Sequence, residues 1–403
     1  MNFLYVIYAR AYQKIMWVAE HFLDFSEPKL VQGEDSILEI PKILKKEGKR
    51  GTLIVTDNTI FSLGLIDPLI EALKISKIPF DVYHDVVPNP TVNNVKEALK
   101  IYKAKGCNSV VAVGGGSSMD CAKMVAACST NPRKSISKMK GVLHVTHKPD
   151  LIIAVPTTAG TGSETTVAAV ILDPDTHDKY AINDPKLIPD YAVLEPKLLI
   201  GLPGKVTSTV GIDALCHAVE AYIGGENTKK TRLYAEQATK LIYQNLYLAY
   251  KNPTNLEYRT NTQLGAYKAG VAFTRAYVGY VHSMAHALGA IYNAPHGLAI
   301  SIVLPYVLEA YGKKVYKRLA KLADICGLTA PNMTAEAKAK AFIAWIKKAE
   351  ADMGIPNTIK GIADPKDFEV MAEHAVKEAN PLYPCPKIFT KREIIELYKK
   401  MYI

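Results

Sequence analysis

Over residues 30–200 short β-branched runs alternate with helix-period segments, and near residue 201 the alternation stops. The runs are Thr52–Val55 (TLIV), Phe80–Tyr83 (FDVY), 109–113 (SVVAV), 151–155 (LIIAV), 168–172 (AAVIL) and Tyr191–Leu194 (YAVL). Near-continuous apolar strands separated by helices predict a parallel sheet covered on both faces, because such strands have no side left to offer water. Asp173-Pro174-Asp175, between AAVIL and KYAIN, reads as the turn of a hairpin. From about Lys205 long helix-period stretches follow one another: 207–223, 231–250, 256–276, 314–326, 335–352 and 391–401. Residues 299–304 fit a strand or a helix. The expected fold is therefore an α/β domain over residues 1–203, with a Rossmann-like parallel sheet, followed by an all-helical domain over 204–403. A chain of 403 residues suits two such domains.

The first 28 residues carry an additional helix. Leu4, Tyr8, Ala11, Tyr12, Ile15 and Ala19 recur at helical spacing, while Arg10, Lys14, Glu20 and Asp24 interrupt the run before the roughly 20 apolar residues of a membrane span. The segment lacks the basic start and small-residue cleavage site of a secretory signal. Its charges cancel, so it is expected to pack on its own chain or on a partner subunit rather than on a membrane. The whole chain has a net charge of +10, but with 41 Lys against eight Arg, spread mostly in pairs. Arg is the residue whose planar fork suits phosphate and base recognition, so the excess reads as a solvated surface with no nucleic-acid partner. Six scattered Cys without a C-x-x-C suit a reduced, cytoplasmic protein.

Two loops in the first half have the chemistry of phosphate binding. The run SVVAV leads directly into Gly114-Gly115-Gly116-Ser117-Ser118-Met119-Asp120 and then a helix. Strand, glycines and helix start leave the backbone unshielded and its free N–H groups aimed at an anion. Met119 breaks the G-x-G-x-x-G fingerprint, so a structural tight turn remains the alternative. The second loop, Pro156-Thr157-Thr158-Ala159-Gly160-Thr161-Gly162-Ser163-Glu164, follows LIIAV at the end of a strand where α/β sheets bind ligands. Asp57, just after TLIV, is placed either to bond ribose hydroxyls and repel a 2′-phosphate, or to form a turn before Asn58.

The second half concentrates metal-binding side chains. Asp213 and His217 stand four apart in GIDALCHAVEAY, as do His282 and His286 in VHSMAHALGA, and His296 follows in NAPHG. Residues four apart share one face of a helix. One carboxylate with several imidazoles from different helices is a ligand set for a divalent metal such as iron or zinc. No H-E-x-x-H occurs, which excludes a zinc protease of that type.

With these motifs the chain resembles the iron-containing (group III) alcohol dehydrogenase family. The matching segments are GGGSSMD with Lys123, PTTAGTGSE, GIDALCHAVEAY and VHSMAHALGAIYNAPHG. The resemblance spans nearly everything after residue 30. It implies a dehydroquinate synthase-like fold and a metal-dependent, NAD(P)-linked alcohol dehydrogenase or aldehyde reductase acting on a primary alcohol or small diol. A polyol or glycerol-type dehydrogenase is the alternative, with a dehydroquinate-synthase-type lyase behind it. It also implies metal ligands Asp213, His217, His282 and His296, holding Fe2+ with Zn2+ as the alternative. His286 would lie near the metal without binding it and relay a proton. Asp57, Asn89, Gly115, Gly116, Ser117, Thr157, Thr158, Thr161 and Lys179 would contact the cofactor, and Asp57 favours NAD(H) over NADP(H). A homodimer is expected. Two segments depart from the family: the N-terminal helix extends beyond shorter members, and ANPLYPCPKIFT (379–390) replaces the NPR-type segment of some members.

Overall fold

The computed structural model describes residues 3–20, 22–176 and 178–403. It divides into two compact units, residues 24–201 and residues 202–403, the latter together with the N-terminal helix Phe3–Glu20.

The first unit holds two sheets. Its strands are β1 (Lys29–Gln32), β2 (Thr52–Val55), β3 (Phe80–Tyr83), β4 (Ser109–Gly114), β5 (Gly141–Val142), β6 (Leu151–Pro156), β7 (Ala168–Asp173), β8 (Asp178–Asn183) and β9 (Tyr191–Leu194). Six form one parallel sheet in the order β1-β9-β6-β4-β2-β3. Every residue of β2, β4, β6 and β9 is buried, as continuous apolar runs require. The chain steps outward from β2 to β3, then returns to place β4 on the other side of β2. This reversal of strand order is where open α/β sheets bind ligands, beyond the carboxyl ends of the strands. The helices alongside are locally encoded. Val92–Ala104, for example, begins with a reciprocal cap in which Thr91 Oγ1 accepts from Asn94 N (3.1 Å) and Asn94 Oδ1 accepts from Thr91 N (3.0 Å).

All six runs named from the sequence are strands, but AAVIL does not join the large sheet. As β7 it pairs antiparallel with β8, forming the hairpin read at Asp173-Pro174-Asp175, and β5 completes a three-stranded sheet. The sequence reading passed over β1 and β5, which have only two apolar residues and one, too few for a pattern.

The second unit is helical. Gly204–Ile223 is buried at every position from Gly211 to Ile223, the mark of a helix at the centre of a bundle. The ambiguous residues 299–304 lie inside the helix His296–Tyr311. The N-terminal helix groups with this unit, not with the α/β half in which the sequence placed residues 1–28. Its inward face is narrow: Ala9 is fully buried and Gln13 is 2% exposed, with Gln13 bonded to main-chain carbonyls of Pro381 and Tyr383. Among the described residues no helix is long and apolar enough to cross a membrane.

Candidate metal and cofactor sites

The helical unit gathers the predicted ligands. Asp213 and His217 project from one face of Gly204–Ile223, His282 from the first turn of Tyr280–Tyr292, and His296 is the first residue after the Pro295 cap of its helix. Asp213 Oδ1 lies 3.8 Å from His217 Nδ1, 3.7 Å from His282 Nε2 and 3.4 Å from His296 Nε2. These separations are too long for good hydrogen bonds. They match the spacing of atoms around one cation, since tetrahedral bonds of roughly 2.1 Å set neighbouring ligand atoms about 3.4 Å apart. Asp213 Oδ1 and His282 Nε2 are buried without a hydrogen-bond partner, an arrangement costly to leave empty. His217 is steadied by stacking on Phe273, with centroids 4.1 Å apart.

Electrostatics agree with that fit. Burial alone would raise the Asp213 carboxyl, but the imidazoles of His217 and His296, with His282 beside them, hold it well below its usual range. Burial likewise disfavours a charged His282, yet the carboxylates of Asp213 and Glu220 outweigh it and push that imidazole up to about 9. A buried centre that draws a proton onto its own imidazole is one that favours a cation.

Glu220 was not singled out from the sequence. One oxygen accepts from His282 Nδ1 (2.6 Å) and Gly279 N (2.8 Å), the other from Val281 N (2.9 Å). Holding the proton on Nδ1 leaves His282 Nε2 as the electron-pair donor aimed at Asp213. Cys216, Glu220 and His282 also cluster, with the Cys216 sulfur 3.8 Å from His282 Nδ1. Burial raises that thiol well above its ordinary value, so it remains protonated and a poor ligand. His286 is exposed, its ring stacked on His296 at 5.2 Å, and its Nδ1 is 2.7 Å from Glu378 Oε1.

In the α/β unit three neighbouring strands deliver most of the other predicted residues, Asn89 and Lys179 excepted. Asp57 follows β2, the glycines follow β4 and the threonines follow β6. Gly115 caps the helix Gly116–Thr130 without any side-chain bond, leaving the N-terminus of the helix unshielded. Gly114 has φ +155°, and a Cβ there would sit 2.5 Å from Ser118 Oγ and 3.7 Å from Asp57 Oδ2. The Ser118 hydroxyl is buried and unpartnered. A Cβ on Gly115 would be 3.9 Å from Thr158 Oγ1, and one on Gly116 would be 3.5 Å from Thr161, so the two loops converge. Thr157 N donates to Gly114 O (3.0 Å). Ser117 lies in the first turn of the same helix and is partly exposed.

The turn reading of Asp57 holds, since Oδ1 caps the helix Asn58–Ser62 by accepting from Ile60 N (3.0 Å), while Oδ2 lies on the side of Gly114. Asn89 and Lys179 meet as a separate pair at 2.7 Å. The loop after β6 is pinned by two side chains of the glycine-loop helix. Asp120 accepts from Ser163 Oγ and Val170 N, both at 3.0 Å. Lys123 Nζ donates to Ser163, Thr166 and Ala168 oxygens at 2.8–3.2 Å.

Comparison with known proteins follows the same division. A family model described as iron-containing alcohol dehydrogenase matches residues 27–196, and the C-terminal model of that family matches residues 207–402. The chain belongs to the iron-containing alcohol dehydrogenase family. It is 37% identical to alcohol dehydrogenase 4 of Schizosaccharomyces pombe, covering 87% of this chain and 83% of that one. It is 33% identical to 1,3-propanediol dehydrogenase of Citrobacter freundii, covering 92% and 96%. A solved alcohol dehydrogenase from Oenococcus oeni superposes with a TM-score of 0.90 at 36% identity, covering 94% of this chain and all of that one. The architecture is dehydroquinate synthase-like, and the activity of this iron-containing alcohol dehydrogenase family member is alcohol oxidoreduction.

Proposed function

We propose that Asp213, His217, His282 and His296 hold a divalent iron ion, or zinc in its place, and that the α/β unit binds NAD(H). The convergence of three imidazole nitrogens on one buried carboxylate oxygen at 3.4–3.8 Å carries this reading. When bound, the cation supplies Lewis acidity at the oxygen of an alcohol or aldehyde, and the nicotinamide supplies hydride exchange.

The remaining chemistry belongs to the chain. Gly115, Gly116 and Ser117 offer helix N-terminal N–H groups to the cofactor diphosphate, with Thr157, Thr158 and Thr161 on its other side. Asp57 accepts from ribose hydroxyls and repels a 2′-phosphate, which selects NAD(H) over NADP(H). Asn89 and Lys179 complete the cofactor contacts. His286, with Nδ1 committed to Glu378, is free to accept or return the substrate proton at Nε2. The substrate is a primary alcohol or small diol, the latter favoured by the likeness to a propanediol dehydrogenase.

Two copies are proposed to associate through the N-terminal helix. Its outward residues Leu4, Tyr8, Ala11, Ile15 and Val18 are exposed and alternate at spacings of four and three, the seam of a helix that pairs with another. The protein is proposed to work in the cytoplasm, where its six free thiols stay reduced.

The deciding experiment follows absorbance at the NADH band with aldehydes of two to six carbons and added ferrous or zinc ion. Asp213→Ala and His282→Ala should abolish turnover while NADH binding, read by fluorescence titration, is kept. Full activity in metal-stripped protein would overturn the scheme, and net NADH formation from an alcohol excludes the lyase.

A further inference from the structure

The segment 381–386 contains Pro381, Pro384 and Pro386, which carry no N–H and cannot be knitted into a helix or ladder. Its carbonyls must find donors elsewhere. Gly225 N supplies one, to Pro384 O at 2.7 Å. The N-terminal helix supplies donors to three more, one of which, Tyr383 O, also accepts from Cys385 N at 2.8 Å. Gln13 Nε2 donates to Pro381 O (2.9 Å) and Tyr383 O (2.8 Å), and Gln13 Oε1 accepts from Arg10, whose other nitrogen reaches Pro386 O at 3.4 Å. A 2%-exposed amide using both of its N–H groups on one loop is a fixed joint, not a surface contact.

That loop carries Tyr383, and its hydroxyl donates to Glu378 Oε1 at 3.0 Å. The same oxygen accepts from His286 Nδ1 at 2.7 Å. An ionised carboxylate can only accept, so this bond requires the proton on Nδ1 and leaves Nε2 of the neutral ring as the acceptor. Burial would raise the Glu378 carboxyl, but the His286 imidazole and the bonds from His286 and Tyr383 bring it below its ordinary value, which keeps it ionised.

We propose that Gln13 is a positioning residue for His286, acting through Tyr383 and Glu378. The helix that this chain carries ahead of its α/β unit thus sets the tautomer and orientation of the proton-transfer imidazole. The proposal rests on the reading of His286 as the proton relay.

The test uses the full-length, zinc-loaded protein and the variants Gln13→Met, Tyr383→Phe and His286→Ala, with the doubles built on His286→Ala. Tyr383→Phe removes one hydroxyl and guards against a fold defect in Gln13→Met. Each of the first two should lower kcat roughly 5- to 30-fold with both KM values unchanged. Neither should lower kcat further once His286 is absent, because residues acting as one unit are not additive. In histidine-labelled protein the ring-nitrogen spectrum of His286 should pass from the Nδ1–H tautomer to a mixture in both variants. An unchanged kcat in Gln13→Met and Tyr383→Phe, with a strongly impaired His286→Ala, overturns the clamp and leaves the relay standing. An unimpaired His286→Ala removes the relay. In that case the clamp survives only if the tautomer signal still shifts.

Discussion

A carboxyl group buried without solvent responds to pH whether or not chemistry uses it. Glu164 is 2% exposed beside Lys123, and burial pushes it up to about 7 despite its own backbone bond and the attraction of the lysine. Burial also brings Lys123 down to about 8, against the pull of Asp120 and Glu164. Because the folded Glu164 holds its proton to higher pH than the unfolded chain, the folded state binds more protons between pH 4.5 and 7. Stability therefore falls as pH rises through that window. Glu164→Gln should remove this loss, up to about 3 kcal/mol at pH 8 relative to pH 4. Urea midpoints measured at both pH values check it, and identical pH dependence in the two proteins would count against it. At this scale the sequence showed what helical spacing can show. Asp213, His217 and His282 could be read because residues four apart share a face. Glu220 shares that face too, but only its burial against Gly279 and Val281 distinguishes it from a glutamate on any helix. Glu378 lies 92 residues from His286 and Gln13 lies 370 from Tyr383, distances at which no spacing rule speaks.

Strand ends and helix starts make a different prediction. Gly114 and Gly116 are neighbours in one motif, yet a methyl group added at each meets different surroundings. At Gly114 it would strike Ser118 at 2.5 Å on a backbone with φ +155°, so Gly114→Ala should lower the melting temperature. At Gly116 it would meet Thr161 at an ordinary 3.5 Å, so Gly116→Ala should fold normally while weakening NADH binding roughly tenfold or more by crowding the diphosphate. Calorimetry and fluorescence titration separate the two effects. The strands themselves were legible because β2, β4, β6 and β9 are buried along their whole length and so must be apolar throughout. The departure of β7 from the parallel sheet was half legible. Its hairpin turn was visible, but sheet membership depends on partners distant in sequence.

For the whole molecule, ion pairs such as Lys29–Glu47 and Lys391–Glu369 lie at the surface, where solvent screens them, and the excess of ten positive charges is what such pairs leave over. Stability is instead divided between two compact units, to each of which the proposed function gives its own ligand. Hydrogen exchange should report this division. Chelation should raise exchange in Gly204–Ile223, Tyr280–Tyr292 and His296–Tyr311, and added NADH should protect residues 57–62, 114–118 and 157–161. Identical protection maps for the two treatments would show that the units do not hold their ligands separately. The joint between Gln13 and Tyr383 adds a consequence in time. At roughly 5–20 residues per second, a ribosome finishes Tyr383 some 20–70 s after Gln13. A nascent chain that stops short of the proline loop already carries Asp213, His217, His282, His296 and the His286–Glu378 pair, but lacks the Tyr383 hydroxyl that steadies Glu378. The joint therefore closes late in synthesis, tying an early helix to a loop made 370 residues after it.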